Sequence, residues 1–420
     1  MNKFDLIKMM DIAEVTSAKR IFARDYVSSG VPFYRGKEIT ELHNGALEVS
    51  TDLFITAEKF AEVKKKHGIP EEGDILLTSV GTLGSVYLVK SRDRFYFKDG
   101  NVTWFRKLKG VTGAYLRYWL ISPEGRAQLQ KCTIGSSQSA YTIENLKRME
   151  VQLPSIEVQH RIASILGAYD DLIAVNRQRI AVLEEMARGL FTEWFIRLRF
   201  PGHEGAAIEV TPDGPLPAGW IWGVAGDLLS FDPRTRVPRE GEKPFIPMGH
   251  LDTATSLIAE PEVRTGNSGA KFQNGDTLFA RITPCLENGK TGLVRNLAGP
   301  DGIGFGSTEF IVMRGERVGP AFSYCLSRLS AFREHARMSM SGATGRQRAR
   351  TDSVADFPIA APPTNNLFER FENVAWPMLD LVGQLGLSSE RLAAARDLLL
   401  PRLISGQLSL VQAERELEAA

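Results

Sequence analysis

The chain has 420 residues, of which 43% are hydrophobic, so it can bury the cores of two or three domains. Its 51 basic and 50 acidic residues give a net charge of +1, which by itself indicates no class of binding partner. No run approaches about 18 apolar residues, charges interrupt the N-terminal segment, and Cys132, Cys285 and Cys325 stand far apart. These features exclude a membrane span, a secretion signal, a disulfide framework and a cysteine zinc site, and we expect a cytoplasmic protein.

Residues 1–152 are predicted to form a first α+β body. Its β-like runs are residues 74–78, 85–89 and 102–105, and its helical patterns are residues 57–67 and 114–130. Two turns are rich in glycine and polar side chains: one contains Thr82, and the other contains Ser136, Ser137 and Gln138. Such turns can approach phosphates or base edges closely, although each can equally be a plain turn.

Residues 153–200 are predicted to be a helical spacer, in which apolar side chains recur at steps of three and four. They are Val158, Ile162, Ile165, Tyr169, Leu172, Ile180, Leu183, Ala187, Leu190 and Trp194. A seam this narrow is typical of a helix that packs against one partner helix. A helix over residues 156–200 would have 45 residues and a length on the order of 65 Å.

The seam has one irregularity, at Leu172, Asn176 and Ile180, where two steps of four follow each other. Such a stutter locally unwinds a supercoil. It places the polar Asn176 in the seam. Asn176 either fixes the register of a helix pair or turns to solvent.

Residues 201–360 repeat landmarks of the first body in the same order. The matched segments are 32–33 with 244–245, 73–77 with 275–279, 102–106 with 309–314, 135–138 with 342–347, and 153–154 with 361–363. Their offsets lie between 202 and 212 residues. A nearly constant offset over five landmarks indicates an internal duplication and therefore a second body.

Residues 361–410 are predicted to form a second helical spacer, followed by an acidic tail at 411–420. The second seam consists of Leu367, Phe371, Val374, Met378, Leu381, Leu385, Ser388, Leu392, Ala395 and Leu399. Pro377 is expected to kink this helix or to mark its start, and Pro401 and Gly406 are expected to close it. Two helices with one seam each are expected to pair as an antiparallel coiled coil.

A basic stretch near the end of the second body is the main candidate binding surface. Its members are Arg333, Arg337, Arg346, Arg348 and Arg350, opposed in this stretch only by Glu334. This stretch suits a protein that contacts nucleic acid over part of its surface, although it can also be a solvated face. The candidate contacts of the second body are Arg281, Thr283, Lys290, Thr344, Arg346, Gln347, Arg348 and Arg350.

The sequence shows no recognisable catalytic motif. Gly289-Lys290-Thr291 resembles the end of a phosphate-binding loop, but Pro284 stands where the first glycine is required. No Asn/Asp-Pro-Pro-Tyr/Phe tetrapeptide of an amino-methyltransferase occurs, and the six histidines are scattered. We therefore expect a non-catalytic chain without its own metal or cofactor.

Several motifs carry a family resemblance. The first half contains Gly73-Asp74-Ile75-Leu76 and, after Leu153-Pro154, Gln159-His160-Arg161-Ile162; the second contains residues 279–285, Ser307-Thr308-Glu309-Phe310 and residues 398–406. Together with the order body, helix, body, helix, they make nearly the whole chain resemble the DNA specificity subunit of type I restriction-modification enzymes. The second spacer departs from the pattern, because Asn365-Asn366-Leu367-Phe368 replaces the Gln-x-x-Ile start.

The resemblance implies two tandem α/β target recognition domains and two long paired helices, related by a pseudo-twofold repeat. It implies that each domain reads one half of a bipartite double-stranded DNA site. The helices would set the spacing and dock two methyltransferase (modification) subunits, which methylate adenine N6 with S-adenosylmethionine. Motor-nuclease (restriction) subunits that use ATP and Mg would join the complex. The alternative is a non-catalytic scaffold whose two domains bind peptides or subunits; a single-chain enzyme is opposed by the missing motifs.

Overall fold

A computed structural model describes residues 4–46, 49–135, 139–299, 302–342 and 347–418. The chain divides into two compact units: unit 1 contains residues 1–175 and 389–420, and unit 2 contains residues 176–388. Both division points fall inside long helices. We call the α+β parts of the two units the first and second bodies.

The first body contains twelve short strands among its described residues. They are β1 Asp5–Lys8, β2 Glu14–Ser17, β3 Tyr26–Val27, β4 Val31–Tyr34, β5 Phe54–Ile55, β6 Ile75–Thr78, β7 Val86–Leu88, β8 Tyr96–Phe97, β9 Val102–Arg106, β10 Thr133–Ile134, β11 Ala140–Tyr141 and β12 Glu150–Leu153. The sheets have the strand orders β2-β9-β6-β7, β3-β5-β4-β8, β1-β12 and β10-β11.

The helices of the first body are α1 Met9–Ile12, α2 Gly36–His43, α3 Ala57–His67, α4 Gly113–Ile121, α5 Pro123–Lys131 and α6 Ile143–Lys147. The single helix predicted over 114–130 is wrong, because it is two helices. The Ser122 hydroxyl accepts a hydrogen bond from the Gly125 amide at 3.2 Å, and Pro123 occupies the first helical position, so a new helix begins there.

Strand β6 explains why its sequence is apolar without alternation. Successive side chains of a strand point to opposite faces. Ile75 and Leu77 are buried in one hydrophobic cluster and Leu76 in another, so both faces of the strand are covered.

The first long helix, α7, spans Ile156–Phe191, and a π-helical turn follows at Thr192–Ile196. The predicted end at Phe200 is therefore wrong, because Leu198 already has left-handed backbone angles (φ 58°). Asn176 is buried and does not turn to solvent, and its amide donates to the Ser388 hydroxyl at 3.4 Å.

The buried positions of α7 correct the predicted seam. Leu172 is 46% exposed and Ile173 is buried instead, while Glu184 is only 1% exposed. Besides Gln159 and Leu166, the buried residues form the series Ile162, Ile165, Tyr169, Ile173, Asn176, Ile180, Glu184, Ala187 and Phe191. Its steps of three, four and four repeat every 11 residues, or about 3.67 residues per turn, close to a straight helix. The double step of four is thus part of a regular pattern and not a single stutter.

The second body begins its strand series after α7. Its strands are β13 Ile208–Thr211, β14 Gly214–Pro217, β15 Ile221–Val224, β16 Leu229–Phe231, β17 Lys243–Ile246, β18 Glu262–Arg264, β19 Ala270–Gln273, β20 Thr277–Ala280, β21 Thr291–Leu293, β22 Ile303–Gly306, β23 Phe310–Gly315 and β24 Pro358–Ala361. Its helices are α8 Pro320–Arg328, α9 Ser330–Met338 and α10 Thr351–Ala355.

The sheet topology confirms the internal duplication. The order β16-β23-β20-β21 repeats β2-β9-β6-β7, and β15 pairs with β24 as β1 pairs with β12. Three strands of each second sheet also agree, because β17 pairs antiparallel with β18 and parallel with β22, as β4 does with β5 and β8. The fourth strand differs, because β3 pairs with β5 whereas β19 pairs with β22. The two bodies therefore share one α+β plan.

The second long helix, α11, spans Asn366–Ile404 and is followed by α12 at Leu410–Glu418. It runs through Pro377 without a break, so Pro377 does not mark its start, and Pro401 lies within its last turn. Gly406, with φ 70°, follows its end. Among its described central residues, Ala375, Leu379 and Val382 are buried, whereas the predicted Val374 and Leu381 are exposed.

The two long helices pack against each other within unit 2. Ile180 clusters with Val382 and Leu385, and the rings of Phe191 and Phe371 lie 5.9 Å apart. Later residues of α7 thus contact earlier residues of α11, so the two helices run in opposite directions. The predicted antiparallel pairing is confirmed. In the described part of the chain, no helix is both long and apolar enough to cross a membrane.

Candidate nucleic-acid interface

A cleft of about 680 Å³ opens in the second body, and its lining is strongly basic. Arg234 and Arg236 come from the segment after β16, Lys271 comes from β19, and Arg281 follows β20. Asp232 is the acidic residue in this lining. Four cations and one carboxylate favour a polyanionic ligand in the cleft.

The segment after β16 leaves the sheet at Asp232, which has left-handed backbone angles (φ 51°). Aspartate tolerates this conformation better than most residues. Its carboxylate accepts the Val312 amide at 2.9 Å and the Thr351 hydroxyl at 2.9 Å. These bonds direct residues 233–237 away from the strand and along the cleft.

A second group of contacts anchors residues 233–237 at Thr235. The Arg314 guanidinium is paired with the buried Asp276 carboxylate at 2.6 Å and also donates to the Thr235 hydroxyl at 2.8 Å. Thr235 is thereby fixed and buried, while Arg234 and Arg236 are exposed. Arg234, Arg236 and Lys271 form no salt bridge with any residue that the structure describes, so their charges are available to a ligand.

The structure brings together several of the predicted contacts. The Thr283 amide donates to the Gln347 carbonyl at 3.1 Å, and the Arg281 guanidinium donates to the Ala349 carbonyl at 2.9 Å. An isolated antiparallel bridge joins Ile282 to Arg348. The buried Nε atom of Arg281 and the buried hydroxyl of Thr283 have no hydrogen-bond partner among the described residues.

Other predicted contacts are already engaged. Arg348 forms a salt bridge with Glu309 at 2.6 Å, which lowers the pKa of the Glu309 carboxyl and raises the pKa of Arg348. Lys290 donates to the Met248 carbonyl at 3.0 Å. Arg350 lies 3.9 Å from Asp352. The charge of Arg348 is therefore partly compensated before any ligand binds.

In the first body, Thr82 is exposed in the turn between β6 and β7. An isolated bridge joins Val80 to Ala140, so this turn begins beside the β10–β11 hairpin. The Val80 bridge is the counterpart of the Ile282 bridge in the second body, at an offset of 202 residues. The predicted contacts Ser136, Ser137, Gln138, Thr344 and Arg346 lie outside the described residues.

The sequence analysis did not predict the basic residues that follow β2 and β16. These are the first strands of the corresponding sheets β2-β9-β6-β7 and β16-β23-β20-β21. In the first body, β2 leads to Arg20 and Arg24, whose guanidinium carbons lie 5.6 and 5.4 Å from the ring centre of the exposed Phe22. Neither arginine forms a salt bridge with a described residue. In the second body, Arg234 and Arg236 occupy the corresponding segment. Basic residues recur after the corresponding strand in both bodies, and this recurrence in the sequence could have identified them.

The first half of the chain is similar to known protein sequences. A profile described as the type I restriction modification DNA specificity domain matches residues 1–185. A Haemophilus influenzae protein described as a type I restriction enzyme specificity subunit is 33% identical over 175 residues, which are 41% of this chain and 41% of that protein.

Longer matches cover both halves. The MjaIX type I restriction enzyme specificity subunit of Methanocaldococcus jannaschii is 24% identical over 96% of this chain and 93% of its own length. The crystal structure of a type I restriction-modification system S subunit from M. genitalium is 13% identical and has a TM-score of 0.57, over 96% of this chain and 97% of that chain. The last match shows a shared fold. The chain is thus similar to specificity subunits of type I restriction-modification systems, by the family model over residues 1–185 and by alignment over nearly its whole length.

Proposed function

We propose that this chain selects a bipartite double-stranded DNA sequence, with each body reading one half-site. The observation that carries the proposal is the repetition of one plan in both bodies: the same strand order in one four-stranded sheet, the same bridge at the candidate loops and basic residues after the same strand. The target recognition domains are residues 1–152 and 201–360. The helical spacers are residues 153–200 and 361–410, with the acidic tail at 411–420.

The basic cleft supports DNA as the ligand. Uncompensated arginines contribute phosphate contacts, and exposed arginines can also read guanine edges in the major groove. A folded peptide-binding scaffold would instead need an apolar groove or an unpaired sheet edge. Of the five charged residues that line the cleft in the second body, four are basic, which favours DNA over that alternative.

The long helices have surfaces suited to partner subunits. In unit 1, Leu172 and Val175 are 46% and 47% exposed on α7; in unit 2, Val182 and Met186 are 55% and 50% exposed on the same helix. Residues three or four apart lie on one face of a helix, so each pair forms an apolar patch. We propose that two methyltransferase subunits dock on the helices and that restriction subunits join them in the cytoplasm. S-adenosylmethionine, ATP and Mg belong to those partners.

The cleft gives the first test of the function. Arg234→Gln combined with Arg236→Gln removes two uncompensated charges, and each lost phosphate contact makes the slope of log affinity against log salt shallower by about 0.9. We expect the reconstituted methyltransferase complex to bind its DNA more weakly, with a slope shallower by about 1.8. The measurement is a salt titration of DNA affinity.

Arg264→Gln provides the matched control, because the Arg264 charge is already paired with Glu262 at 2.6 Å. This variant should bind as the wild type does. Equal affinity and equal salt dependence for the Arg234/Arg236 double variant would contradict the assignment of the cleft. Sequence-independent binding by the wild-type complex would favour the scaffold alternative.

A further inference from the structure

A buried carboxylate in unit 2 joins the long helix α7 to the second body. Glu184 is only 1% exposed. Its Oε1 atom accepts the Ser256 amide at 2.6 Å, and its Oε2 atom accepts the Tyr324 hydroxyl at 2.7 Å. Burial raises the pKa of the Tyr324 phenol well above its usual value, and the Glu184 carboxylate adds to this rise, so Tyr324 stays a donor.

Helix α11 contributes to the same junction in unit 2 through two glycines. A Cβ atom at Gly383 would lie 3.1 Å from the Cδ atom of Arg295, and one at Gly386 would lie 2.7 Å from a methyl group of Leu257. Glycine inside a helix is less favourable than alanine, so two of them need a structural reason. Here they leave room for side chains of the second body.

Arg295 completes the contact. Its guanidinium donates to the Ser256 hydroxyl at 3.0 Å, and burial lowers its pKa although nearby acidic groups, Glu184 first among them, oppose this. The buried Nε atom of Arg295 has no hydrogen-bond partner among the described residues. The junction therefore contains a fully buried acid from the helix and a partly buried base from the body.

Unit 1 has a corresponding junction built from different residues. Asp170 of α7 accepts the Tyr118 hydroxyl at 2.7 Å and pairs with Arg117 at 2.8 Å and with Arg396 of α11 at 2.5 Å. Burial raises the pKa of Asp170, but the two guanidinium groups outweigh that effect and hold the pKa below its usual value. In both units a tyrosine on the body's helix, α4 or α8, donates to an acid on α7.

We propose that these two acid–tyrosine junctions are positioning devices that fix the pose of each body on the paired helices and so define one allowed gap between the half-sites. The inference rests on the proposed function. Buried charges are costly, and a hydrophobic contact of the same size would hold the body equally well. A directional bond, in contrast, fixes an angle. Glu184 and Asp170 are therefore positioning residues for DNA reading and do not contact the DNA.

The first test measures the pose without DNA. Spin labels at Val182→Cys on α7 and Val263→Cys on β18, both exposed and both in unit 2, report the distance between helix and body in a Cys285→Ser background. Tyr324→Phe and Glu184→Gln each remove part of the junction. Loss of such a hydrogen bond changes the ratio of docked to undocked second body on α7 by about tenfold. We expect the distance distribution to broaden in both variants and to stay narrow in the Glu185→Gln control, which alters an exposed acid. An unchanged distribution in both variants would overturn the proposal.

The second test measures the gap. Adenine methylation is mapped in cells that contain the partner subunits together with one of three chains: the wild type, the Tyr324→Phe variant or the Tyr118→Phe variant. We expect the variants to keep both half-site sequences and to lose the single gap length, so that sites with neighbouring gaps are also methylated. A single unchanged gap would overturn the positioning role while the proposed function stands. Failure of the wild-type chain to direct methylation would overturn the proposed function, and the distance measurement would then decide whether the junction fixes the pose.

Discussion

Inserting four residues into both long helices is expected to lengthen the gap between the two half-sites and leave the half-sites unchanged. Asn176 and Ser388 face each other within unit 2 at 3.4 Å, so insertions after Asn176 and after Leu387 preserve the neighbouring pairs on that side. Four residues add about 6 Å to each helix. This corresponds to about one or two base pairs of duplex. The gap in the methylated sequence should grow by that amount.

The insertion has a matched control. Four residues inserted between Pro212 and Asp213 extend the turn of the β13–β14 hairpin and leave both helices unaltered, so the gap should not change. An active helix-insertion variant that methylates sites with the original gap would show that the helices connect the bodies without measuring DNA.

Exchanging residues 1–152 for the first body of another family member is expected to replace one half-site and retain the other. Each body has its own buried clusters and its own candidate contacts, so neither needs the other to form its reading surface. The exchange should preserve Arg117 and Tyr118, because they bind Asp170 of the retained helix. Mapping of methylated adenines measures the result. A change in both half-sites would refute independent reading.

The pairing of the helices and the duplication were predictable because both leave repeating patterns in the sequence. The phase of the seam was not predictable where two apolar residues are adjacent. Leu172 and Ile173, like Val374 and Ala375, fit a period near 3.6 about equally well, and only packing selects the second member of each pair.

Glu184 shows a different limit. An acidic residue in a helical seam is normally assigned to solvent, because burial of an unpaired charge is costly. Its partners Ser256 and Tyr324 lie 72 and 140 residues away in the chain, so no local sequence pattern predicts them. The cleft arginines were missed for a related reason: β19 and the segment after β16 come together only in the folded second body.

The central claim is that this chain selects a split DNA sequence for its partner subunits. The most direct measurement is a genome-wide map of methylated adenines in a host that carries the methyltransferase subunits, with and without this chain. We predict one asymmetric sequence of two defined halves around an unspecified gap, methylated only when the chain is present. Methylation that is independent of the chain, or that occurs at an uninterrupted sequence, would contradict the claim.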